Sequence, residues 1–261
     1  MNQKAYRAAR ITPAFALVTV TLGLTNVSCT GDDSANHVIT QAVVPDQVLM
    51  IDNFETVEGP GMVPSTPAPF SGGWYVFDDG SLATPEGGTA PDGKQVVKTE
   101  ALDEPHTTVD GSSGHALHMT GGPYTGAYGS GVTGQLAGGV PYDASAYTGI
   151  MLWAKKGIVT AQGAVTLSLA TVNDSYQEGG TTCKDPPTPG KNDSCNDGFH
   201  IDLALRQDWK LYVINFADLA QQGYGYKPPG GFAKGQIIGV NFLNKKGATF
   251  DQWIDDIAFF K

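Results

Sequence analysis

The chain has 261 residues and a formal net charge of −10 at pH 7. This length allows one or two domains with a sizeable hydrophobic core. The acidic balance argues against a nucleic-acid-binding protein, because such proteins need clustered Lys and Arg. The 34 glycines and 16 prolines are typical of an all-β protein with many turns.

The first 29 residues have the pattern of an export signal. Three basic residues, Lys4, Arg7 and Arg10, precede an apolar stretch from Ile11 to Leu24. A stretch of this length is short for a membrane span and suits the apolar region of a signal peptide. The pattern therefore predicts that the chain is exported.

Cys29 follows this stretch in a Val-Ser-Cys context that resembles a bacterial lipoprotein cleavage site. The context departs from the usual one at Asn26, which occupies the place of a Leu. We expect residues 1–29 to form the signal segment, Cys29 to carry lipid, and residues 30–45 to form a flexible tether. The protein would then contact the membrane of the cell envelope only through its lipid anchor. Simple secretion is the alternative.

Cys183 and Cys195 remain if Cys29 is lipidated, and an even number of cysteines suits an exported protein. The loop between them contains no core residue of its own. We predict a disulfide between these two residues, which would stabilise the fold by about 3 kcal/mol. Zinc binding is the alternative, although the chain has no Cys-x-x-Cys motif and His200 is the only nearby imidazole.

Apolar and alternating segments predict about nine strands in the rest of the chain. The segments are 48–54, 74–77, 114–120, 147–155, 164–172, 198–205, 209–216, 236–242 and 253–260, and Val96-Val97 is a further short candidate. Only residues 216–222 have the pattern of a helical turn. We therefore predict one domain, 46–261, that folds as an all-β, two-sheet antiparallel β-sandwich of the jelly-roll type.

Four motifs stand out near the C-terminus. They are Trp209-Lys210, Tyr226-Lys-Pro-Pro-Gly230, Ile237-Ile-Gly-Val-Asn-Phe242 and Ile254-Asp255-Asp256-Ile257. Together they resemble the C-terminal half of family 11 carbohydrate-binding modules, and the resemblance extends weakly upstream to Asp52-Asn-Phe-Glu55. The resemblance implies a jelly-roll sandwich that binds β-glucans without cutting them.

Aromatic residues near glycine-rich turns are candidates for a polysaccharide-binding surface, because sugar rings pack on aromatic faces. The candidates are Trp74, Tyr75, Tyr124, Tyr128, Tyr176, Tyr224 and Tyr226, of which we select Trp74, Tyr75, Tyr128, Tyr224 and Tyr226. The resemblance implies a binding role for Tyr226 and Tyr128. Gly223, Tyr224 and Gly225 replace an Arg and an Asp of the family at this place. Packing of each tyrosine over the sandwich edge is the alternative.

Asp52, Glu55 and Asp255 belong to the first and last predicted strands, which are commonly neighbours in jelly rolls. Carboxylates within apolar strands are costly to bury unless they are paired or bound to a metal. The resemblance implies a structural calcium ion held by acidic residues of these strands, and Ca²⁺ takes six to eight oxygen ligands. We therefore expect Asp52, Glu55 and Asp255 to bind Ca²⁺. Capping of strand ends is the alternative.

Catalysis is the competing interpretation, since a glycosidase needs two carboxyl groups that face each other. The candidate pairs are Asp78/Asp79, Asp103/Glu104 and Asp174/Glu178. None lies in an acidic strand motif of the glucanase type, and the chain has no Gly-x-Ser-x-Gly, His-Glu-x-x-His or P-loop motif. We expect a non-catalytic, polysaccharide-binding protein. A glycoside hydrolase or polysaccharide lyase and a structural envelope lipoprotein are the alternatives.

Overall fold

The computed structural model describes residues 39–40, 44–56, 70, 72–82, 96–103, 106, 114–126, 128–157, 163–175 and 182–261. Outside these ranges lie the predicted signal segment with Cys29, most of the predicted tether, and Glu104, Tyr176 and Glu178. Within them, no helix has the length and hydrophobicity of a membrane-crossing segment.

Twelve strands are present in the described residues. In chain order they are β1 (Ile39–Thr40), β2 (Val48–Asp52), β3 (Trp74–Asp78), β4 (Val96–Ala101), β5 (His115–Gly121), β6 (Ser130–Gln135), β7 (Gly149–Lys156), β8 (Ala164–Thr171), β9 (Phe199–Ala204), β10 (Lys210–Asn215), β11 (Ile237–Asn244) and β12 (Phe250–Phe260). The helical segments of the described residues are two short 3-10 turns, Phe216–Asp218 and Lys234–Gln236.

The strands form two antiparallel sheets. The larger sheet has seven strands in the order β1-β10-β7-β12-β5-β4, with β2 also paired to β12. The smaller sheet has five strands in the order β3-β6-β11-β8-β9. The prediction of an all-β, two-sheet antiparallel sandwich of the jelly-roll type is confirmed.

The main hydrophobic core lies between the two sheets. Leu152 and Ile254 of the larger sheet and Leu167 and Val240 of the smaller sheet are fully buried in it. Because successive side chains of a strand point to opposite faces, the core takes every second residue from each sheet. Each fully buried side chain of this kind contributes about 1.5–3 kcal/mol of transfer free energy.

The outer face of the larger sheet is also apolar and buried. Its buried side chains are Ala116, Met151, Trp209, Leu211, Val213, Trp253, Ala258 and Phe260. Val44, before β2, and Leu102, after β4, pack against these side chains. Lys155 lies over the rings of Trp209 and Trp253, with its Nζ 5.4 and 5.5 Å from their centroids. This face is therefore closed by the chain itself.

Within the predicted domain, β6 is the strand that the sequence did not predict, because its segment is rich in glycine. Gly131 and Gly134 lie under the rings of Phe77 and Trp74 on the paired strand β3. A Cβ at Gly134 would lie 2.7 Å from Trp74 Cη2, and a Cβ at Gly131 would lie 2.6 Å from Phe77 Cζ. These glycines allow close packing of aromatic rings on a strand, where the sequence indicated a loop.

β12 contains a bulge at its two buried aspartates. Its register with β7 shifts between Asp255 and Ala258, and Asp256 has a φ of 47°. Residues 250–254 pair with β5, whereas residues 257–260 pair with β2. The extra residue therefore lies where β2 replaces β5 as the neighbour of β12, and a bulge of this kind bends the strand locally.

Two other segments differ from the sequence-based expectations. Ile39 and Thr40, in the predicted tether, pair with Val213 and Tyr212 of β10. The predicted helical turn 216–222 is limited to three residues. Leu219 follows this turn with an extended backbone and packs its side chain into the core.

Candidate functional site

A row of polar side chains crosses the outer face of the smaller sheet. The strand register aligns Tyr75, Thr133, Asn241, Ser168 and His200, in that order from β3 to β9. Their neighbours along each strand include core residues, so these five side chains point away from the core. Strands in a sheet lie about 4.8 Å apart, and the row is therefore roughly 19 Å long.

A second row lies beside the first. It contains Phe77, Gly131, Leu243, Thr166 and Asp202. The hydroxyl of Thr166 donates to Asp202 Oδ1 at 2.5 Å, and Lys245 forms an ion pair with the same carboxylate. Asp202 is the only acidic residue of the two rows, and the charge of Lys245 balances it.

The row ends at β3 in an exposed tyrosine. Tyr75 is 54% exposed, and among the described residues it makes no ring contact. Its neighbour Trp74 is 4% exposed, packs against Phe54 and Phe242, and donates its Nε1–H to Asp52 Oδ2 at 2.8 Å. Strand alternation places the two residues on opposite faces. The selection of Trp74 as a ligand residue was therefore wrong, since its ring belongs to the core.

Tyr128 lies beside the end of β3, in a segment that we call the Tyr128 turn (Tyr128-Gly129). The carboxylate of Asp79 accepts the backbone N–H groups of both turn residues, at 3.2 and 2.8 Å. The hydroxyl of Tyr128 donates to the carbonyl of Asp78 at 3.3 Å, while 57% of the residue stays exposed. Hydrogen bonds from Ser81 and from this turn lower the pKa of Asp79.

Tyr224 lies in a second loop, the Tyr224 arm (219–231). The buried carboxylate of Asp197 accepts backbone N–H groups of this arm at 2.9, 2.8 and 3.0 Å, from Gln222, Gly223 and Gly225 respectively. The hydroxyl of Tyr224 donates to the carbonyl of Asn196 at 2.6 Å, and 50% of the residue is exposed. Burial raises the pKa of Tyr224, and the charge of Asp197 adds to this effect.

Tyr226 is half-buried in the same arm. Its backbone N–H donates to the carbonyl of Ser194 at 2.9 Å, and Gly225 forms an isolated bridge with Ser194. The arm belongs to none of the twelve strands, as the Pro-Pro sequence predicts, but it rests on the loop that ends at Cys195. The predicted disulfide between Cys183 and Cys195 is confirmed, with Cα atoms 4.9 Å apart.

The two tyrosine segments flank the polar rows. The Tyr128 turn adjoins the Asp78 end of β3, and Asp197 lies two residues before Phe199, the first residue of β9. The strand register places these two strand ends at diagonally opposite corners of the smaller sheet. In both segments the tyrosine hydroxyl is hydrogen-bonded to a backbone carbonyl, so the exposed ring is held in a defined position.

The predicted calcium ligands lie near one another but have separate partners. Asp52 accepts the N–H of Phe54 at 2.8 Å on Oδ1, in addition to the indole N–H on Oδ2. Asp255 Oδ2 lies 2.9 Å from His106 Nε2, and Glu55 accepts the N–H of Gly114. Burial raises the pKa of Asp52 to about 6, and the charge of Asp255 adds to this rise.

Burial likewise raises the pKa of Asp255, and the charge of Glu55 acts in the same direction. Within the described ranges, no group of three His, Cys, Asp or Glu side chains is arranged to hold a metal ion. Calcium binding at this place stays a prediction of the sequence.

The acidic residues considered for catalysis have structural contacts. Asp79 organises the Tyr128 turn, and Asp103 pairs with Lys155 at 2.6 Å. Asp174 is buried and accepts the backbone N–H and the hydroxyl of Thr171 at 2.9 and 2.8 Å. Each of these carboxylates therefore has a hydrogen-bonding role within the fold.

Comparison with protein-family models gives no match, and neither does comparison with curated proteins. Solved structures do match. A family 11 carbohydrate-binding module from Clostridium thermocellum, in complex with a β-1,3-1,4-mixed-linked tetrasaccharide, has 17% identity and a TM-score of 0.46, over 84% of this chain and 97% of that chain. A family 30 carbohydrate-binding module of a cellulosomal cellulase from the same organism has 14% identity and a TM-score of 0.43, over 77% and 96%.

An exo-β-agarase structure has 10% identity and a TM-score of 0.43, and the match covers 80% of this chain but 24% of that chain. The structural similarity to carbohydrate-binding modules of families 11 and 30 thus extends over most of the chain.

Proposed function

We propose that the protein binds a neutral polysaccharide of the β-glucan type, without cleaving it, on the outer face of the smaller sheet. The observation that carries this proposal is the polar row that ends in the exposed ring of Tyr75. Hydroxyl, amide and imidazole groups both donate and accept hydrogen bonds, as sugar hydroxyls do. Tyrosine rings offer flat faces for the C–H surfaces of sugar rings.

The charges of the face favour a neutral glycan. Asp202 is the only acidic residue of the two rows, and Lys245 pairs with it. A glycan with carboxylate or sulfate groups needs Arg or Lys donors that are not already paired. The net charge of −10 also disfavours an anionic polymer, because like charges repel at long range.

The choice of β-glucan as the proposed ligand class rests on sequence motifs. Tyr226 and the following Lys-Pro-Pro-Gly match the family 11 turn, and the Tyr224 arm that contains them borders the face. Gly223, Tyr224 and Gly225 stand where that family has an Arg and an Asp. We therefore propose that tyrosine stacking replaces part of the charged recognition in this chain.

The proposed location is the cell envelope. The basic start, the apolar stretch up to Leu24 and the Cys29 context favour export and lipid attachment at that cysteine. A lipid-anchored domain of this kind would hold polysaccharide at the cell surface. Secretion without lipid would give the same binding domain in a free form.

A glycan panel tests the proposed function. The full chain is applied to soluble and immobilised glycans that include cellulose-type, mixed-linkage β-glucan, uronic acid and sulfated polymers. A reducing-sugar assay follows on each glycan that binds. We expect binding to a neutral β-glucan without release of reducing ends. Release of product would establish an enzyme, and binding to no glycan would overturn the proposal.

A further inference from the structure

The Tyr224 arm rests on the loop that the disulfide closes. Ser194 accepts the N–H of Tyr226 and pairs with Gly225, and it directly precedes Cys195. Gly225 packs so closely against Ser194 and Asp197 that an added Cβ would lie 2.4 Å from Asp197 Cβ and 2.7 Å from the carbonyl oxygen of Ser194. The middle of the arm is therefore held by a residue next to a disulfide cysteine, while the start of the arm pairs with β9 through Ala220 and His200.

The disulfide loop has no buried side chain between its two cysteines. Between Cys183 and Cys195 every side chain is exposed or half-buried, whereas both cysteines are buried. The N–H of Lys184 donates to Asp193 O at 2.6 Å, and the N–H of Cys195 donates to Lys184 O at 3.1 Å. Because no core side chain lies within the loop, its covalent closure adds to these hydrogen bonds in restricting its conformations.

Asp197 continues this support on the other side of Cys195. Its carboxylate accepts three N–H groups of the arm, and its carbonyl accepts the side-chain amide of Gln221 at 2.6 Å. The same amide of Gln221 donates to the carbonyl of Tyr226 at 2.9 Å. Cys195, Asn196 and Asp197 are consecutive, so a displacement of the disulfide moves the arm's acceptors together.

The Tyr128 turn provides an internal comparison. Asp79 organises this turn as Asp197 organises the Tyr224 arm, through backbone N–H groups that converge on a carboxylate. Its position is fixed by the pairing of β3 with β6, where Asp78 faces Ser130. No cysteine belongs to either strand or to the turn. Its geometry is therefore independent of the disulfide.

We propose that the disulfide and Asp197 are positioning elements of the Tyr224 arm, so that the affinity for glycan depends on the redox state of the protein. This inference rests on the proposed function. In the reducing step a dithiol attacks the Cys183–Cys195 bond, which cleaves to two thiols, while the dithiol closes to a cyclic disulfide in a two-electron exchange. The arm then loses its fixed support at Ser194 and Asp197.

Titration of the full chain with mixed-linkage β-glucan tetrasaccharide tests this proposal. The chain carries Cys29→Ser, so that dithiothreitol acts on one disulfide, and the temperature is kept below the melting transition of both redox forms. We expect reduction to raise Kd by about tenfold. In a Tyr224→Ala/Tyr226→Ala background we expect reduction to change Kd less than about twofold, because coupled residues give non-additive effects.

Two matched variants separate the arm from general loosening of the fold. Asp197→Asn replaces one of the two carboxylate oxygens that accept N–H groups of the arm. We expect reduction to raise the Kd of this variant by less than it raises the Kd of the chain with Asp197. Asp79→Asn makes the same change in the Tyr128 turn, and we expect its effect to add to that of reduction. Equal effects of reduction in the presence and absence of the two arm tyrosines would overturn the positioning role.

Amide hydrogen exchange provides a readout that needs no glycan. We expect reduction to speed exchange at Gly223 and Gly225, because these N–H groups lose their fixed acceptor, and to leave Gly129 unchanged. If the oxidised chain binds no glycan, the proposed function fails while exchange still decides whether the disulfide holds the arm. Unchanged exchange at the two arm glycines, or unchanged Kd on reduction, would overturn the inference.

Discussion

The outer faces of the two sheets differ in what covers them. On the larger sheet, Met151, Val213 and Phe260 form an apolar layer that the chain itself buries. On the smaller sheet, the corresponding positions hold the polar row from Tyr75 to His200. The same alternation of side chains thus gives one closed apolar face and one polar face that is only partly covered, with Ser168 buried and Tyr75 exposed. Residue type decides the difference, because only the apolar face gains free energy from being covered.

The difference also separates two kinds of aromatic residue. Trp153, Trp209 and Trp253 lie at the closed face, and Trp74 lies in the core. Among the described residues the exposed rings are tyrosines, and two of them bond through their hydroxyls to backbone carbonyls. Large indole rings therefore stabilise this fold, whereas tyrosines supply its accessible aromatic surface.

Aromatic truncations on the two outer faces should have the most unequal effects on stability. Phe260→Ala removes a buried ring from the larger sheet, and we expect the free energy of unfolding to fall by about 3–5 kcal/mol. Tyr75→Ala removes a half-exposed ring, and we expect a change within about 0.5 kcal/mol. Urea unfolding of both variants measures these values, and similar losses in the two would break the distinction between the closed face and the partly covered face.

The sequence predicts most of this fold because strands with apolar residues on alternate positions are readable locally. It does not predict β6, because Gly131 and Gly134 look like loop residues until Phe77 and Trp74 are placed over them. It also predicts an exposed ring for Trp74, which is buried, because the pattern does not show which alternate residues of a strand face the core. The apolar neighbours of Trp74 do not distinguish the two faces in the sequence.

The buried carboxylates should make stability depend on pH. The pKa of Asp52 rises from an ordinary 3.8 to about 6, so the folded protein binds more protons than the unfolded chain between these values. Its contribution to stability is full below pH 3.8 and is lost as the pH rises through about 6. We expect the loss to be up to about 3 kcal/mol. Asp52→Asn should flatten this part of the profile of Tm against pH, measured with a chelator present.

Calcium is tested with the same samples. If Asp52, Glu55 and Asp255 bind the ion predicted from the sequence, a chelator lowers Tm at pH 7, because a ligand that binds only the folded state stabilises it. Asp255→Ala should then abolish the response to chelator. The response should also weaken as the pH falls below about 6, where the Asp52 carboxyl becomes protonated and no longer binds calcium. If the chelator leaves Tm unchanged at pH 7, the prediction of bound calcium is wrong.

The Tyr224 arm should contribute to affinity more than to stability. Tyr226→Ala should weaken binding of a mixed-linkage tetrasaccharide about tenfold, since an aromatic contact of this kind is worth about 1–2 kcal/mol. Tyr226→Phe keeps the ring and should lose much less. Calorimetric titration measures both affinities, and circular dichroism checks the fold. Wild-type affinity in the folded alanine variant would place Tyr226 outside the binding surface.

The candidate site was only partly predictable. Tyr128, Tyr224 and Tyr226 stand in glycine-rich segments whose neighbours do not explain them as core residues, whereas Tyr75 lies in an apolar strand, where its outward position depends on strand phase. Thr133, Asn241, Ser168 and His200 gave no signal, because they come together only through the register of five strands. Such a row depends on contacts between distant segments, which local patterns do not encode.

Chemical-shift mapping of the labelled protein during titration with mixed-linkage β-glucan tetrasaccharide tests directly whether the outer face of the smaller sheet binds the glycan. We expect shifts that follow the row from Tyr75 through Asn241 to His200 and extend into the Tyr128 turn and the Tyr224 arm. The amides of Met151 and Val213, on the closed face, should stay unchanged. Shifts concentrated on the larger sheet, or saturable binding that leaves the row unperturbed, would contradict the assignment of the binding face.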